Sequence, residues 1–262
     1  MFLRAWALAL SSVFFLLPPV GFAAEEPTIP IETIIERFVA SETEFAEARQ
    51  QYTYRQSVKL TEYNEGNRPA GTWELIQDII FSADNKRTER VIYAPVATLR
   101  RIQLTPQDEQ DLRDVQPFVM TVDNRKDYDI AYLGTELIDE IDCYVFSVKP
   151  KTMEKGKRYF QGQVWVDQLD LQAVKTYGKG VGLLKKNSDN QFPAFETYRQ
   201  RIDGKYWFPV YTRADDTLHF RNGDIRVKMI IKYEDYKRFG SEIDITFGDE
   251  VVDDTGTAEP EP

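Results

Sequence analysis

The stretch RYFQGQVWVDQLDLQAVKTY, residues 158–177, decides the fold. An aromatic-rich run ends at Trp165, Val166 and Asp167, a short polar turn follows, and a second run leaves from Leu171. That pattern is a β-hairpin. Phe160, Val164 and Val166 share one face, while Tyr159, Gln161, Gln163, Trp165 and Asp167 share the other. The second face mixes polar groups with aromatics and suits a partly solvated rim better than a dry interior.

Working outward, more antiparallel sheet appears on both sides. Upstream, Ile141 to Val148 is a dense apolar strand, and Asp127 to Leu133 alternates Tyr128, Ile130 and Tyr132 against Asp129 and Ala131. Downstream, Gly178, Gly180 and Gly182 mark a strand end, and Lys185 to Asn190 reads as an exposed loop. Phe195 to Ile202, Asp203-Gly204 and Tyr206 to Arg213 form a hairpin signal, because Asp-Gly favours a type I′ turn. Asn222-Gly223 repeats it before Ile225 to Tyr236.

Nearer the start, Tyr52, Tyr54, Gln56, Val58, Leu60 and Glu62 alternate onto one strand face. Thr72 to Ser82 returns as a second strand, and its run from Leu75 to Phe81 is apolar on both faces, which predicts cover on both sides. Arg87 to Tyr93 and Leu99 to Leu104 are two further strand candidates. Thr105 is a plausible N-cap, Pro106 fits the first helical position, and carboxylates follow, so a short helix runs to about Val115. At the front, Ile31, Ile34, Ile35, Phe38, Val39, Phe45 and Ala48 form a helical stripe ending near Gln50. Glu32, Glu36, Arg37, Glu42, Glu44 and Glu47 fall outside that stripe. About eleven strands with two covering helices predict a mainly β protein with α, its curved antiparallel sheet curling into a partial barrel or splitting into a sandwich.

The termini read differently. Arg4, the apolar run Ala5 to Leu17, Pro18-Pro19 and Gly21-Phe22-Ala23 have the order of a secretory signal peptide over residues 1–23. No cysteine lies near the cleavage point, so a lipid anchor is not expected, and the product should be soluble and exported. Residues 24–252 read as one domain, and the acidic, proline-bearing residues 253–262 as a disordered tail. The net charge of −10 opposes nucleic acid and anionic membranes as partners, although acidity also serves plain solubility. The single cysteine, Cys143, excludes an intramolecular disulfide and a cysteine-pair metal site, and its apolar neighbours make it a buried small hydrophobe.

No catalytic constellation emerges. His219 is the only histidine and neighbours no nucleophile motif. The acidic group Glu136, Asp139, Glu140 and Asp142 lacks calcium-loop spacing, and the run Gly178 to Leu183 lacks the third glycine and the helix of a dinucleotide loop. Asp167 with Asp170, and Asp215-Asp216, read as turn residues. No metal and no cofactor are implied, and no enzyme activity is expected. The abundant Tyr and Phe fill either an ordinary core or the walls of an apolar cavity.

Several segments in order resemble the LolA, LolB and LppX-like superfamily, in particular the outer-membrane lipoprotein-sorting proteins. They are the leading helix into Tyr52-Thr53-Tyr54, Leu133 to Glu136 before Cys143 to Phe146 with Lys149-Pro150-Lys151, Tyr159 to Asp167, and Asp203 to Pro209. The resemblance implies an unclosed antiparallel barrel with helices plugging its mouth, and a periplasmic carrier of acyl chains or of a lipidated partner across the envelope. It also implies an arginine near the cavity mouth, with Arg87, Arg90, Arg100 and Arg101 as candidates. From strand alternation the cavity-lining candidates are Ile79, Phe81, Tyr128, Ile130, Tyr132, Val145 and Trp165. The rival expectation is an RseB-like envelope sensor, its cavity filled by side chains and its surface bound to an envelope membrane protein.

Overall fold

A computed structural model describes residues 27, 29–81, 86–183 and 192–238. The signal-peptide and tail segments, and the expected loop 185–190, lie outside those residues. Ten strands form one sheet in which every paired neighbour is antiparallel: β1 Tyr52–Tyr63, β2 Pro69–Phe81, β3 Arg87–Tyr93, β4 Tyr128–Ile138, β5 Ile141–Pro150, β6 Tyr159–Asp167, β7 Ala173–Val181, β8 Phe195–Ile202, β9 Tyr206–Phe220 and β10 Gly223–Arg238. Their order is β3-β2-β1-β10-β9-β8-β7-β6-β5-β4. The edge strands β3 and β4 do not pair, so the sheet is an unclosed barrel rather than a sandwich. The strands from β4 to β10 pair in chain order, and β10 then pairs with β1, which seats the first hairpin beside the last.

Helix α1, Ile31–Ala48, starts after Pro30, whose carbonyl accepts the Ile34 N–H at 3.1 Å, and continues into a 3₁₀ turn, Arg49–Gln51. Its stripe of Ile34, Ile35, Phe38, Val39 and Phe45 is buried. Phe38 stacks on Phe146 of β5 with ring centroids 6.2 Å apart. Glu42, placed outside the stripe by periodicity, is buried as well. Its reason is a charged partner in the sheet, Arg199.

Tyr52, Gln56, Val58, Leu60 and Glu62 are buried along β1, so the alternation there is as the sequence predicts. On β2 the double cover is not found: Gln77 and Ile79 are buried, whereas Ile76, Ile80 and Phe81 are only half-buried. Asp78 shares the outer face and binds Arg55 at 2.8 Å and Arg90 at 2.7 Å, so that side is charged and solvated. The Asp203-Gly204 turn has φ of 53° and 71°, the two positive values that type I′ requires. At the next hairpin only Gly223 is left-handed, and the turn centres one residue earlier, on Arg221 and Asn222.

Leu99 to Leu104 is not a strand. The N–H groups of Arg100, Arg101 and Ile102 all donate to Glu62 Oε2, at 3.1, 3.0 and 3.2 Å, which bends this segment over the end of β1. Gly71 makes room for the crossing, since a Cβ there would meet Leu99 Cα at 2.8 Å. The helix expected after Thr105 is present as α2, Pro106–Gln110, and runs into a π-turn, Asp111–Val115. Thr105 donates to Asp108 Oδ2 through both its N–H and its hydroxyl, each at 2.7 Å. A further turn, α3 at Val122–Arg125, is closed by a capping box between Thr121 and Asn124.

Gly178 and Gly180 lie inside β7, and Gly182 follows its end. A Cβ on Gly178 would come within 2.8 Å of the Phe160 ring, so the absent side chain is the floor on which that ring lies. Gly178→Ala should therefore lower unfolding stability by about 1–3 kcal/mol through overpacking, read from urea denaturation. An unchanged denaturation midpoint would show that the Phe160 ring and the Gln161 carbonyl, which such a Cβ would also meet, both give way freely.

Candidate functional site

An apolar crevice lies between the segment 102–116, which includes α2 and the π-turn, and the inner strand faces. Its inner part, ≈ 60 Å³, is floored by Val58 and Leu60 of β1, Trp73 of β2, Phe195 of β8 and Met229 of β10, and roofed by Leu104, Asp108, Leu112 and Gln116. An outer part of ≈ 230 Å³ shares Leu60, Leu104, Asp108 and Pro193 with it and extends to Ile102, Leu218, Phe220 and Val227. These floor residues alternate along their strands, which aims them at the same side of the sheet as α1.

Polar contacts hold the roof. Glu62 anchors its leading edge through the N–H groups described above, and Glu62 is fully buried. Farther along, Asp111 accepts from Arg158 Nε at 2.8 Å and Nη2 at 2.7 Å, and both side chains are buried. The Arg158 guanidinium also lies 3.7 Å from the centre of the Phe192 ring. Gly180 leaves space for this pair, because a Cβ there would sit 2.6 Å from Arg158 Nη2.

Behind the crevice, Glu42 and Arg199 form a second buried pair, with Arg199 Nη1 2.9 and 3.1 Å from the two carboxylate oxygens. Glu42 Oε1 also accepts the Ala173 N–H at 3.0 Å, and Arg199 Nη2 donates to the Phe118 carbonyl. One ion pair therefore joins α1, β7, β8 and the chain after the π-turn.

The residues selected from alternation do not converge on the crevice. Tyr128, Ile130 and Tyr132 pack into the core beneath α1, where Phe118 and Phe146 fill the space beside them. The Tyr132 hydroxyl is buried with no hydrogen-bond partner among the described residues, and burial raises its pKa. Ile79 is buried opposite Tyr54, and Phe81 is half-buried at the end of β2. Val145 and Trp165 are register partners on the opposite face of the sheet, in a cluster with Cys143, Val174 and Trp207. There Trp165 Nε1 donates to Glu136 at 2.7 Å and Lys175 Nζ stands 4.8 Å from the ring centre. The crevice residues missed were Leu104, Leu112, Gln116, Phe195 and Met229. Val58 and Leu60 were visible as a buried face of β1, but their roof was not.

Of the arginine candidates, Arg87 pairs with Glu89 and Arg90 with Asp78. Arg100 and Arg101 instead border an open polar depression of ≈ 740 Å³ with Asn64, Glu65 and Asn222, and Arg101 also touches the outer crevice. His219 is exposed on the β9–β10 hairpin with Nδ1 2.8 Å from Asp224. Among the described residues, no group of three or more His, Cys, Asp or Glu could hold a metal, and no helix is long and apolar enough to cross a membrane.

No family model matches the chain. A segment of 82 residues, 31% of the chain, is 33% identical to small ribosomal subunit protein uS7 of Pelobacter propionicus, and it spans 49% of that protein, so the chain covers about half the length of this curated relative. Among solved structures the chain is similar to a DUF1329 family protein from Desulfovibrio piger, at 17% identity and a TM-score of 0.44, covering 82% of this chain and 95% of that one. It is similar to a LolA superfamily protein from Nitrosomonas europaea, at 14% identity and 0.35, covering 76% and 93%. It is also similar to a putative outer membrane lipoprotein-sorting protein domain from Vibrio parahaemolyticus, at 11% identity and 0.36, covering 78% and 93%. With TM-scores below 0.5, these likenesses assign no function.

Two outcomes follow from the buried groups. Arg199→Met alone should cost about 3–5 kcal/mol in chemical denaturation by stranding Glu42, and adding Glu42→Leu should restore most of it; equal loss in the double variant would contradict the pairing. Burial pushes the Cys143 thiol up to about 12. The folded protein should therefore leave a disulfide reagent such as DTNB unreacted at pH 8 and consume one equivalent once unfolded; prompt reaction of the folded protein would place the thiol at the surface.

Proposed function

We propose that the protein is an exported binder of apolar chains, taking an acyl chain or lipidated partner into the crevice beneath residues 102–116. The supporting observation is the crevice itself, an apolar floor on the inner sheet face under a roof tied down by Glu62 and by Asp111–Arg158. At ≈ 60 Å³ and ≈ 230 Å³ its parts fall short of the roughly 300–1,000 Å³ of a preformed ligand pocket. Entry of a long chain therefore requires the roof to lift. The π-turn at Asp111–Val115, closed by the Gln116 N–H donating to the Asp111 carbonyl at 2.9 Å, puts a wider backbone hydrogen-bond pattern at the end of that roof. The pattern of sequence segments resembling lipoprotein-sorting proteins, with the signal-peptide pattern of residues 1–23, supports action in the periplasm. Binding rather than catalysis is favoured because His219 is exposed beside a carboxylate and Cys143 is buried. The partial match to a ribosomal protein draws no support from charge, since a net −10 repels RNA.

A second reading rests on a different observation. The β3 edge exposes Val91, Ile92 and Tyr93, and an apolar edge strand is a surface on which a partner chain can pair. In that reading the protein is an envelope interaction module that holds a membrane protein and no lipid.

Solvent extraction of the purified protein followed by mass spectrometry, with titration of the neutral dye N-phenyl-1-naphthylamine, separates the two. The carrier reading expects a co-purifying lipid and saturable dye binding that Leu112→Glu weakens at least about tenfold, the penalty for placing a charge in an apolar site. A stable protein partner captured from envelope extracts, with no lipid and no dye binding, would support the second reading and reject the first.

A further inference from the structure

Gln116 is the one residue of the inner crevice wall that is polar, uncharged and left with an unanswered atom. It is 6% exposed, and its side chain stands among Leu60, Leu112, Phe195 and Met229. Its Nε2 lies 3.5 Å from Met229 Sδ. A thioether sulfur accepts hydrogen bonds and cannot donate them, so this contact sets the nitrogen toward Met229 and the oxygen away from it. That oxygen, Oε1, is buried and has no donor among the described residues.

The carboxylates of the same wall do not supply one. Asp108 Oδ2 accepts from Thr105, and Asp111 accepts from Arg158. Both carboxylates are acceptors engaged by those donors and have no hydrogen to offer Gln116 Oε1. Oε1 is already out of water in the unliganded protein, so a ligand without a donor leaves it unanswered, whereas a ligand carrying a hydroxyl or amide N–H, admitted as the roof lifts, supplies the missing hydrogen bond.

We propose that the inner crevice selects an apolar chain bearing a neutral hydrogen-bond donor, a hydroxyl or an amide N–H, and that Gln116 Oε1 is the group that reads it. This rests on the crevice being the apolar-chain site, and it names the class of chain. Gln116 is here a specificity residue. The reach of the site is short, because the donor must lie within hydrogen-bond distance of one oxygen carried on the roof.

The test uses matched probes in competition with N-phenyl-1-naphthylamine on the full exported chain. Dodecanamide carries the donor, and methyl dodecanoate has the same chain length with acceptors only. The wild type should prefer dodecanamide by roughly three- to tenfold, the worth of one buried hydrogen bond. Gln116→Met, which keeps the side-chain length, should bring the two probes within about twofold of each other. Gln116→Leu repeats the measurement should the methionine variant not fold, and 1-dodecanol against dodecyl methyl ether repeats it with a hydroxyl donor. Equal binding of both probes by the wild type, or a preference that survives loss of Gln116, would overturn the assignment while leaving the crevice an apolar-chain site. Failure of every probe and of the dye would instead remove the binding reading on which it stands.

Discussion

The Glu42–Arg199 pair is the interaction on which the rest of the structure depends. A carboxylate and a guanidinium, each almost wholly out of water, are tolerable only when both are paired and their remaining groups satisfied. Here the Ala173 N–H and the Phe118 carbonyl complete the set, so the charges can be buried only if α1, β7, β8 and the segment after the π-turn arrive together. Apolar packing alone would let α1 slide along the sheet, since Ile, Val and Phe contacts have no direction. The ion pair selects one seating. Its contribution is therefore chiefly to registry, because a well-packed apolar replacement of both partners would be about as stable.

The roof of the crevice follows the same logic, with buried carboxylates again answered by donors from elsewhere in the chain. Glu62 gathers three backbone N–H groups of a segment that has no strand to pair with, and Arg158 fixes Asp111 from the far side. Both anchors are polar and local. A roof held this way can part from the apolar floor without unfolding the sheet, because the ten-stranded ladder does not pass through it. The long hairpins carry the sheet, and the irregular segment between β3 and β4 covers the crevice floor.

The strands and helices were largely legible because local chemistry decides them. The alternation of Tyr52 to Glu62, the Asp203-Gly204 turn, the proline after Thr105 and the stripe of α1 each answer to a neighbour within a few residues. Leu99 to Leu104 misled for a physical reason: its composition suits a strand, but its N–H groups go to a side chain on β1 rather than to a ladder. Glu42 misled likewise, since a charged residue reads as exposed unless its partner is known, and Arg199 is far away in the chain. The candidate site was the least legible part. Alternation sorts residues onto two faces, so Val145 and Trp165 could not be separated by it from Tyr128 and Tyr132, whose strands are neighbours.

The hairpin at residues 158–177 shows where the division falls. By itself the sequence determined that β6 and β7 pair, and that Phe160, Val164 and Val166 share a face, because side chains alternate along any strand. Only the tertiary structure decided that this face is the one α1 covers, that Trp165 lies on the far side against Glu136 and Lys175, and that the glycines of β7 make room for Phe160 and for the Asp111–Arg158 pair. Those outcomes depend on contacts between residues distant in the chain. A periodic pattern records that a face is buried, and not what buries it.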